Sequence, residues 1–436
     1  MTVTLVNGLP PLRKSDPQLT LRVCGPSAYV RSPDFIARFC LESGEIEWVV
    51  KRSCPQFAEG TVRLPRWISI FGLDLWVDQS GRHVAELLPT ESGELTVCVW
   101  NAETGRLRWE YYVSIPPVAD WAEPSPIQPG YQIEELDAFI ADDPNRLVVC
   151  LFRQSRRSGS SAENYRLPTY ACQTDGIRLE PTTGNVLWRA SFADVRIGIL
   201  ERRSFTGIWS NDSHLGVLDL ETGTNTILHR SPGLLGWPVR HGRLLAVPWH
   251  LDGQIGIDWI DQQGRRIRNG AWPQPRVRCT ELRATDSGLA LQTNDQTLWW
   301  LGDEVSPLWK VRAKPYIYRV HCSAESDVFV GTDGNGGRVV GLDRHSGRET
   351  LNLRPVVGGV GSLAKVPGHD VLVSGFMASR SRSVPCQLLV LSMRDRRHAL
   401  VNQCQSLVGT WEHGAICIAG ERSDQLAIAD IRLSSK

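Results

Sequence analysis

Apolar and polar residues alternate in short runs along most of the chain. Good examples are Leu75-Trp-Val77, His83-Val-Ala-Glu-Leu-Leu88, Leu95-Thr-Val-Cys-Val-Trp100 and Arg106-Leu-Arg-Trp-Glu-Tyr-Tyr-Val113. A period of two puts every second side chain on one face, so each run reads as a half-buried strand. Gly, Asn, Asp and Ser fill the gaps between runs, as tight turns require. No segment has the spacing of a convincing amphipathic helix. Glu134–Ala141 fits either one or two helical turns or the first arm of a hairpin, returning through Asp142–Asn145 into Leu147–Phe152.

One turn phrase recurs. It reads Trp100-Asn-Ala-Glu-Thr-Gly105-Arg-Leu-Arg-Trp109, then Leu179-Glu-Pro-Thr-Thr-Gly184-Asn-Val-Leu-Trp188. Shorter copies are Leu41-Glu-Ser-Gly44-Glu-Ile-Glu-Trp48, Leu218-Asp-Leu-Glu-Thr-Gly223 and Leu342-Asp-Arg-His-Ser-Gly347, with a weaker one ending at Gly264. The glycine supplies the positive φ that a tight hairpin needs. Gly184 to Gly223 is 39 residues and Gly223 to Gly264 is 41, while Gly264 to Gly347 is 83 and encloses a degraded copy at Thr297–Asp303. Four short strands every ~40 residues is the spacing of a β-propeller. The expected fold is therefore all-β, a propeller of four-stranded antiparallel blades, with eight blades favoured and seven or nine as alternatives. Units end near Trp48, Trp109, Trp188, Leu228, Ile267, Trp309, Leu353 and Leu400, and a C-terminal remnant follows. One domain is expected over 1–436: a closing strand and linker in 1–17 with Val3–Val6 as the strand, repeats over 18–400, and a closing blade over 401–436.

Composition changes the picture little. Sixteen Trp against three Met, with 39 Gly and 26 Pro, suits a sheet protein with many turns. A net charge of +1 disfavours a partner gripped electrostatically along its length, such as duplex DNA. Eleven Cys, an odd number without Cys-x-x-Cys spacing, include Cys98, Cys150 and Cys417 inside apolar strands. Such residues behave as small hydrophobes, and the pattern predicts a reducing, cytoplasmic setting. The opening residues lack the basic-then-apolar pattern of a secretory signal, and no apolar run approaches the ~18 residues of a membrane span.

The phrase Asp/Asn-x-x-Thr-Gly-x-x-x-Trp resembles the repeat of quinoprotein-type propellers, the pyrroloquinoline-quinone-like branch; Val97–Asn101 also looks like a WD40 strand. The resemblance covers most of residues 18–400. It implies that Trp48, Trp109, Trp188 and Trp309, on outer strands, dock against the neighbouring blade. Ile227, Asn269 and Leu351 stand at or near that position in other units, where the docking is not expected. The quinone-dependent enzymes that share the repeat carry vicinal cysteines and a calcium-holding acidic set; neither pattern is found in this sequence.

No catalytic residue, cofactor or metal site is expected. Gly331–Gly337 alternates Asp and Asn but lacks the downstream bidentate Glu of a calcium loop, and it lacks the Lys-Ser/Thr of a phosphate loop. His321-Cys322 has no metal-ligand spacing. The functional expectation comes from the insertions. Loops 154–166 and 377–383 join second to third strands, and 50–66 and 114–132 join units, so all open on one face. Arg153, Arg156, Arg157, Arg166, Arg380 and Arg382 would make that face basic, with Tyr165 and Trp121 as aromatic anchors of the kind that dominate protein interfaces. The expected function is a non-catalytic protein-interaction scaffold. The alternatives are a small-ligand or quinone-dependent enzyme using the central channel, and nucleic-acid binding through the basic loops.

Overall fold

The computed structural model describes residues 2–12, 19–32, 34–51, 75–77, 81–89, 95–113, 131–143, 146–157, 172–180, 183, 185–193, 196–198, 206–210, 213–236, 238–274, 277, 279–285, 287–302, 306–312, 317–322, 327–332, 338–354, 359–377, 387–402, 404–419 and 425–431. These residues are all-β, arranged in nine antiparallel sheets of the four-stranded propeller-blade type. Nine is one above the favoured count and within the expected range. The C-terminal remnant is the reason: it is a full sheet of its own.

Two compact units are distinguished by their internal contacts. The first comprises Asp16–Cys40 and Glu47–Arg230. Its first sheet runs Thr20–Cys24, Ser27–Ser32, Phe35–Cys40 and Ile46–Lys51, and its second Leu75–Val77, His83–Pro89, Leu95–Asn101 and Leu107–Val113. The third sheet settles the ambiguous stretch of sequence. Tyr131–Asp143 is a strand and pairs with Arg146–Arg157 from Asp143↔Arg146 to Tyr131↔Arg157, followed by Cys172–Leu179 and Val186–Ala193. The fourth is Arg196–Gly198, Thr206–Ser210, His214–Asp219 and Asn225–Arg230.

The other unit comprises Met1–Ser15, Leu41–Ile46 and Ser231–Lys436. Its fifth sheet has an extra short strand: Leu234–Leu235, Val239–His241, Leu244–Leu251, Gln254–Ile260 and Arg266–Pro273. The sixth holds Cys279–Thr285, Gly288–Thr293, Thr297–Gly302 and Trp309–Arg312. The seventh holds Ile317–Cys322, Asp327–Thr332, Val339–Asp343 and Glu349–Leu353, and the eighth Gly359–Lys365, Val371–Met377, Gln387–Ser392 and His398–Val401. The ninth takes Cys404–Trp411, Gly414–Ala419 and Leu426–Asp430 from the C-terminal end and Thr2–Leu5 from the other. The pairing Thr2↔Asp430 to Leu5↔Ala427 makes the expected closing strand, and the Val6 N–H extends it to the Leu426 carbonyl at 2.9 Å.

The cores lie between sheets. Central strands are buried on both faces, as in Gln254–Ile260, where all but the first residue is buried. Val, Ile, Ala and Leu fill such positions, so the alternation seen in sequence is cleanest on the outer strands, for example the exposed-to-half-buried Arg266–Pro273. Cys404 and Cys417 pack fully buried among Val373, Leu388 and Ala427, and neither forms a disulfide. No helix among the described residues is long and apolar enough to cross a membrane.

Candidate interaction surface

The recurring phrase builds the same turn each time it is well preserved. In the second sheet the Asn101 N–H bonds the Arg106 carbonyl at 2.8 Å, and the Gly105 N–H bonds the Asn101 carbonyl at 2.9 Å. The fourth sheet repeats this with Asp219, Thr224 and Gly223, and the seventh with Asp343, Arg348 and Gly347. The Asn or Asp side chain caps the two amides ahead of it: Asn101 Oδ1 accepts from Glu103 and Thr104, Asp219 Oδ1 from Glu221 and Thr222, Asp343 Oδ1 from His345 and Ser346. This is why the phrase demands a short acceptor at that position. Its chemistry shows in Asp343. The Ser346 hydroxyl and amide hold the carboxyl below the ordinary aspartate range, against a small opposing effect of desolvation. Gly44, Gly105, Gly223, Gly264 and Gly347 all have φ between 66° and 79°. Gly264 closes a turn one residue shorter, with the Asp261 N–H on the Arg265 carbonyl.

Each of three such glycines lies beneath a tryptophan of the preceding sheet. A Cβ on Gly105 would stand 2.8 Å from the Trp48 ring, one on Gly223 3.2 Å from Trp188, and one on Gly347 2.8 Å from Trp309. The indole N–H then donates to the carbonyl three residues before the glycine: Trp48 to Ala102 at 3.0 Å, Trp188 to Leu220 at 3.1 Å, Trp309 to Arg344 at 2.7 Å. Glycine is therefore needed twice, for its φ and for the approach of the ring. Trp109 is buried; its expected counterpart Gly184 lies outside the described residues. Ile227, at the tryptophan position after Gly223, is 49% exposed, and Asn269 is exposed too. Leu351 is half-buried and packs against the core shared with the eighth sheet. Gly44 rests instead on the closing strand, where a Cβ would meet the Leu5 carbonyl at 3.0 Å.

Two junctions use buried charge, the first in addition to its tryptophan. Between the first and second sheets, Arg31 Nε donates to Glu86 Oε2 at 3.1 Å with both side chains fully buried, and Trp100 Nε1 donates to Glu86 Oε1 at 2.7 Å. Between the seventh and eighth, Arg396 Nε and Nη2 reach the two oxygens of buried Asp327 at 2.8 and 3.2 Å, and the Thr350 hydroxyl adds a bond at 3.0 Å. Arg396 occupies the phrase's glycine position, with φ 57°. Neither pair was visible in the sequence, because partners 55 and 69 residues apart belong to no motif.

Of the sequence-predicted partner residues, Arg153, Arg156 and Arg157 lie on the strand Arg146–Arg157, which continues further than the expected loop start at Gln154. Tyr165, Arg166, Arg380, Arg382 and Trp121 lie outside the described residues. Antiparallel pairing places Arg157 and Cys172, and likewise Met377 and Gln387, at the end of their sheets opposite the phrase turns. Among the described residues no three His, Cys, Asp or Glu side chains are grouped to hold a metal. The described part of the Gly331 loop ends at Thr332, and His321 Nε2 lies 3.3 Å from the Leu363 carbonyl. Lys310 sits over the Trp299 ring at 3.6 Å from its centroid. Desolvation there lowers its pKa, partly offset by the negative charge of Asp295.

No family model matches the chain, and no curated protein matches it. Solved structures do. A crystal structure of the eukaryotic initiation factor aligns at 10% identity over 90% of this chain and 90% of that one, with a TM-score of 0.51. BamB from Moraxella catarrhalis aligns at 14% identity over 86% and 97%, TM-score 0.49. The WD40 domain of SCAP from fission yeast aligns at 9% over 99% and 98%, TM-score 0.45. The likeness is one of fold. It does not single out the quinoprotein-type repeat.

Proposed function

We propose that this chain is a non-catalytic, intracellular scaffold that recognises another protein through the loop-elaborated ends of its sheets. The observation that carries this reading is the use of the buried carboxylates. The three found among the described residues are Glu86, Asp258 and Asp327. Each faces an arginine: Arg31 at 3.1 Å, Arg266 at 4.0 Å and Arg396 at 2.8 Å. Glu86 and Asp327 are each hydrogen-bonded by a guanidinium of a neighbouring sheet, so these carboxylates serve to join sheets. Recognition then falls to loops on a rigid frame, where function tends to collect. Arg153, Arg156 and Arg157 stand on the strand that leads into the first long second-to-third-strand connection; Tyr165, Arg166, Arg380 and Arg382 belong to those connections in the sequence, and Trp121 to a long connection between sheets. The proposal includes one domain over 1–436; two well-separated calorimetric transitions would contradict that part.

Deleting 158–166 and replacing Arg380 and Arg382 with Ala is expected to abolish capture of the native partner by the tagged full-length chain, with an unchanged melting temperature. Capture at the parental level would reject this face.

A further inference from the structure

The phrase turns of the seventh and eighth sheets point to a second recognition surface at the opposite strand ends. These turns are the stretches Asp343-Arg-His-Ser-Gly-Arg348 and Ser392-Met-Arg-Asp-Arg-Arg397. They share one frame, since the Asp343 N–H bonds the Arg348 carbonyl at 2.8 Å and the Ser392 N–H bonds the Arg397 carbonyl at 2.9 Å. Arg348 and Arg397 are thus equivalent residues one repeat apart. The turns lie side by side. Arg396 of the later turn grips Asp327, and Asp327 is paired in register with Asp343, the first residue of the earlier turn. The 366–370 turn joins them at the same end, with the Met393 N–H on the Asp370 carbonyl at 2.8 Å.

Charge is distributed unevenly here. The acidic groups are engaged within the fold: Asp343 with Ser346 and two amides, Asp327 with Arg396 and Thr350, Asp370 with Lys365 at 3.7 Å, Glu349 with Arg338 at 3.6 Å, and Asp395 with Ser392 at 3.5 Å. His345, Arg348, Arg394, Arg397 and His398 are exposed. Two other phrase turns are acidic in character, with Glu42 and Glu45 in the first sheet and Asp219 and Glu221 in the fourth. We propose that the paired turns bind an acidic polypeptide segment, with Arg348 and Arg397 each forking a side-chain carboxylate. Guanidinium groups suit this task because two parallel N–H donors match two carboxylate oxygens. A single-stranded nucleic acid is the lesser fit. Neither turn carries a Phe, Tyr or Trp on which a base could stack.

This surface lies at the other end of the strands from the proposed loop face, and the two fail separately. The probe is a fluorescein-labelled decaglutamate peptide titrated with the full chain in low salt and read by fluorescence anisotropy. Arg348→Glu with Arg397→Glu is expected to weaken binding about tenfold or more, with an unchanged melting temperature. Arg106→Glu with Arg108→Glu, the same charge change in the second sheet, is expected to leave binding near the parental value. The 158–166 deletion is expected to bind decaglutamate normally even where it loses the native partner. Equal weakening by both reversals would overturn the assignment, as would tighter binding of a labelled oligothymidylate than of the peptide.

Discussion

The junction between the sixth and seventh sheets and the junction between the seventh and eighth perform the same task by different physics. In the first, Trp309 lies over Gly347, donates to the Arg344 carbonyl and stacks on Trp300 at 6.2 Å. In the second, the tryptophan position holds Leu351 and the glycine position holds Arg396, whose guanidinium grips Asp327. Packing uses a large apolar surface and one hydrogen bond. The ion pair uses little area but removes a carboxylate from water, a cost that only well-made hydrogen bonds offset. The comparison teaches that the repeat preserves a contact between sheets and not a residue. When the ring is lost, the glycine is released from one of its two constraints. A side chain able to tolerate positive φ can then take its place and supply a replacement contact.

Trp309→Ala should break the packed junction most severely. It removes a buried ring and leaves a cavity, so thermal or denaturant unfolding should register a loss of about 3–5 kcal/mol. Gly347→Ala attacks the same junction from the other side. Its Cβ would meet the ring and the residue would sit at φ 69°, so a loss of about 2 kcal/mol is expected. Arg396→Gly sharpens the contrast. It relieves the left-handed backbone, worth about 1 kcal/mol, yet leaves Asp327 buried with Thr350 alone. Because the Arg396 side chain is 42% exposed, the pair is partly screened, and a net loss of about 1–2 kcal/mol is expected. The difference between Arg396→Gly and the parent should shrink in high salt, while that for Trp309→Ala should not. If both losses respond equally to salt, the distinction between the junctions fails.

Asp343→Asn should have the smallest effect, because Asn101 already makes the same cap. The Asp343 carboxyl is held below its ordinary value by the Ser346 hydroxyl and amide. Its ionisation therefore adds stability above the unfolded aspartate pKa of about 3.9, and that stability is lost as the pH falls through the lowered folded value. The variant should melt near the parent at neutral pH and lose less of its melting temperature on acidification. A parental acid response would show that the carboxylate does not contribute in this way.

The parts legible in the sequence were those encoded within a few residues. The Asx–Gly turn announces itself because one glycine and one short acceptor suffice to specify it. The tryptophan four residues later marks an outer strand. Of the three positions where docking was not expected, Ile227 and Asn269 are exposed while Leu351 packs against the core shared with the eighth sheet. The Arg31–Glu86 and Arg396–Asp327 pairs could not be read, since charged residues in strands usually mean a solvated face. The stretch 131–143 stayed ambiguous because Glu134-Glu-Leu-Asp-Ala-Phe-Ile-Ala141 satisfies both periods, and only its partner strand Arg146–Arg157 decides between them. The paired basic turns were missed for a further reason. The eighth unit has no glycine in the phrase, so its equivalence to the seventh emerged only from the shared hydrogen-bond frame.

The strand Thr2–Leu5 is synthesised well before the strand it pairs with. Its partner, Leu426–Asp430, leaves the ribosome roughly 20 to 85 seconds later at ~5–20 residues per second. Throughout that interval an edge with open backbone donors and acceptors waits without its mate. Biogenesis is consequently the most exposed moment in the life of this chain, and a holdase that shelters the nascent N-terminal segment would have its greatest effect there.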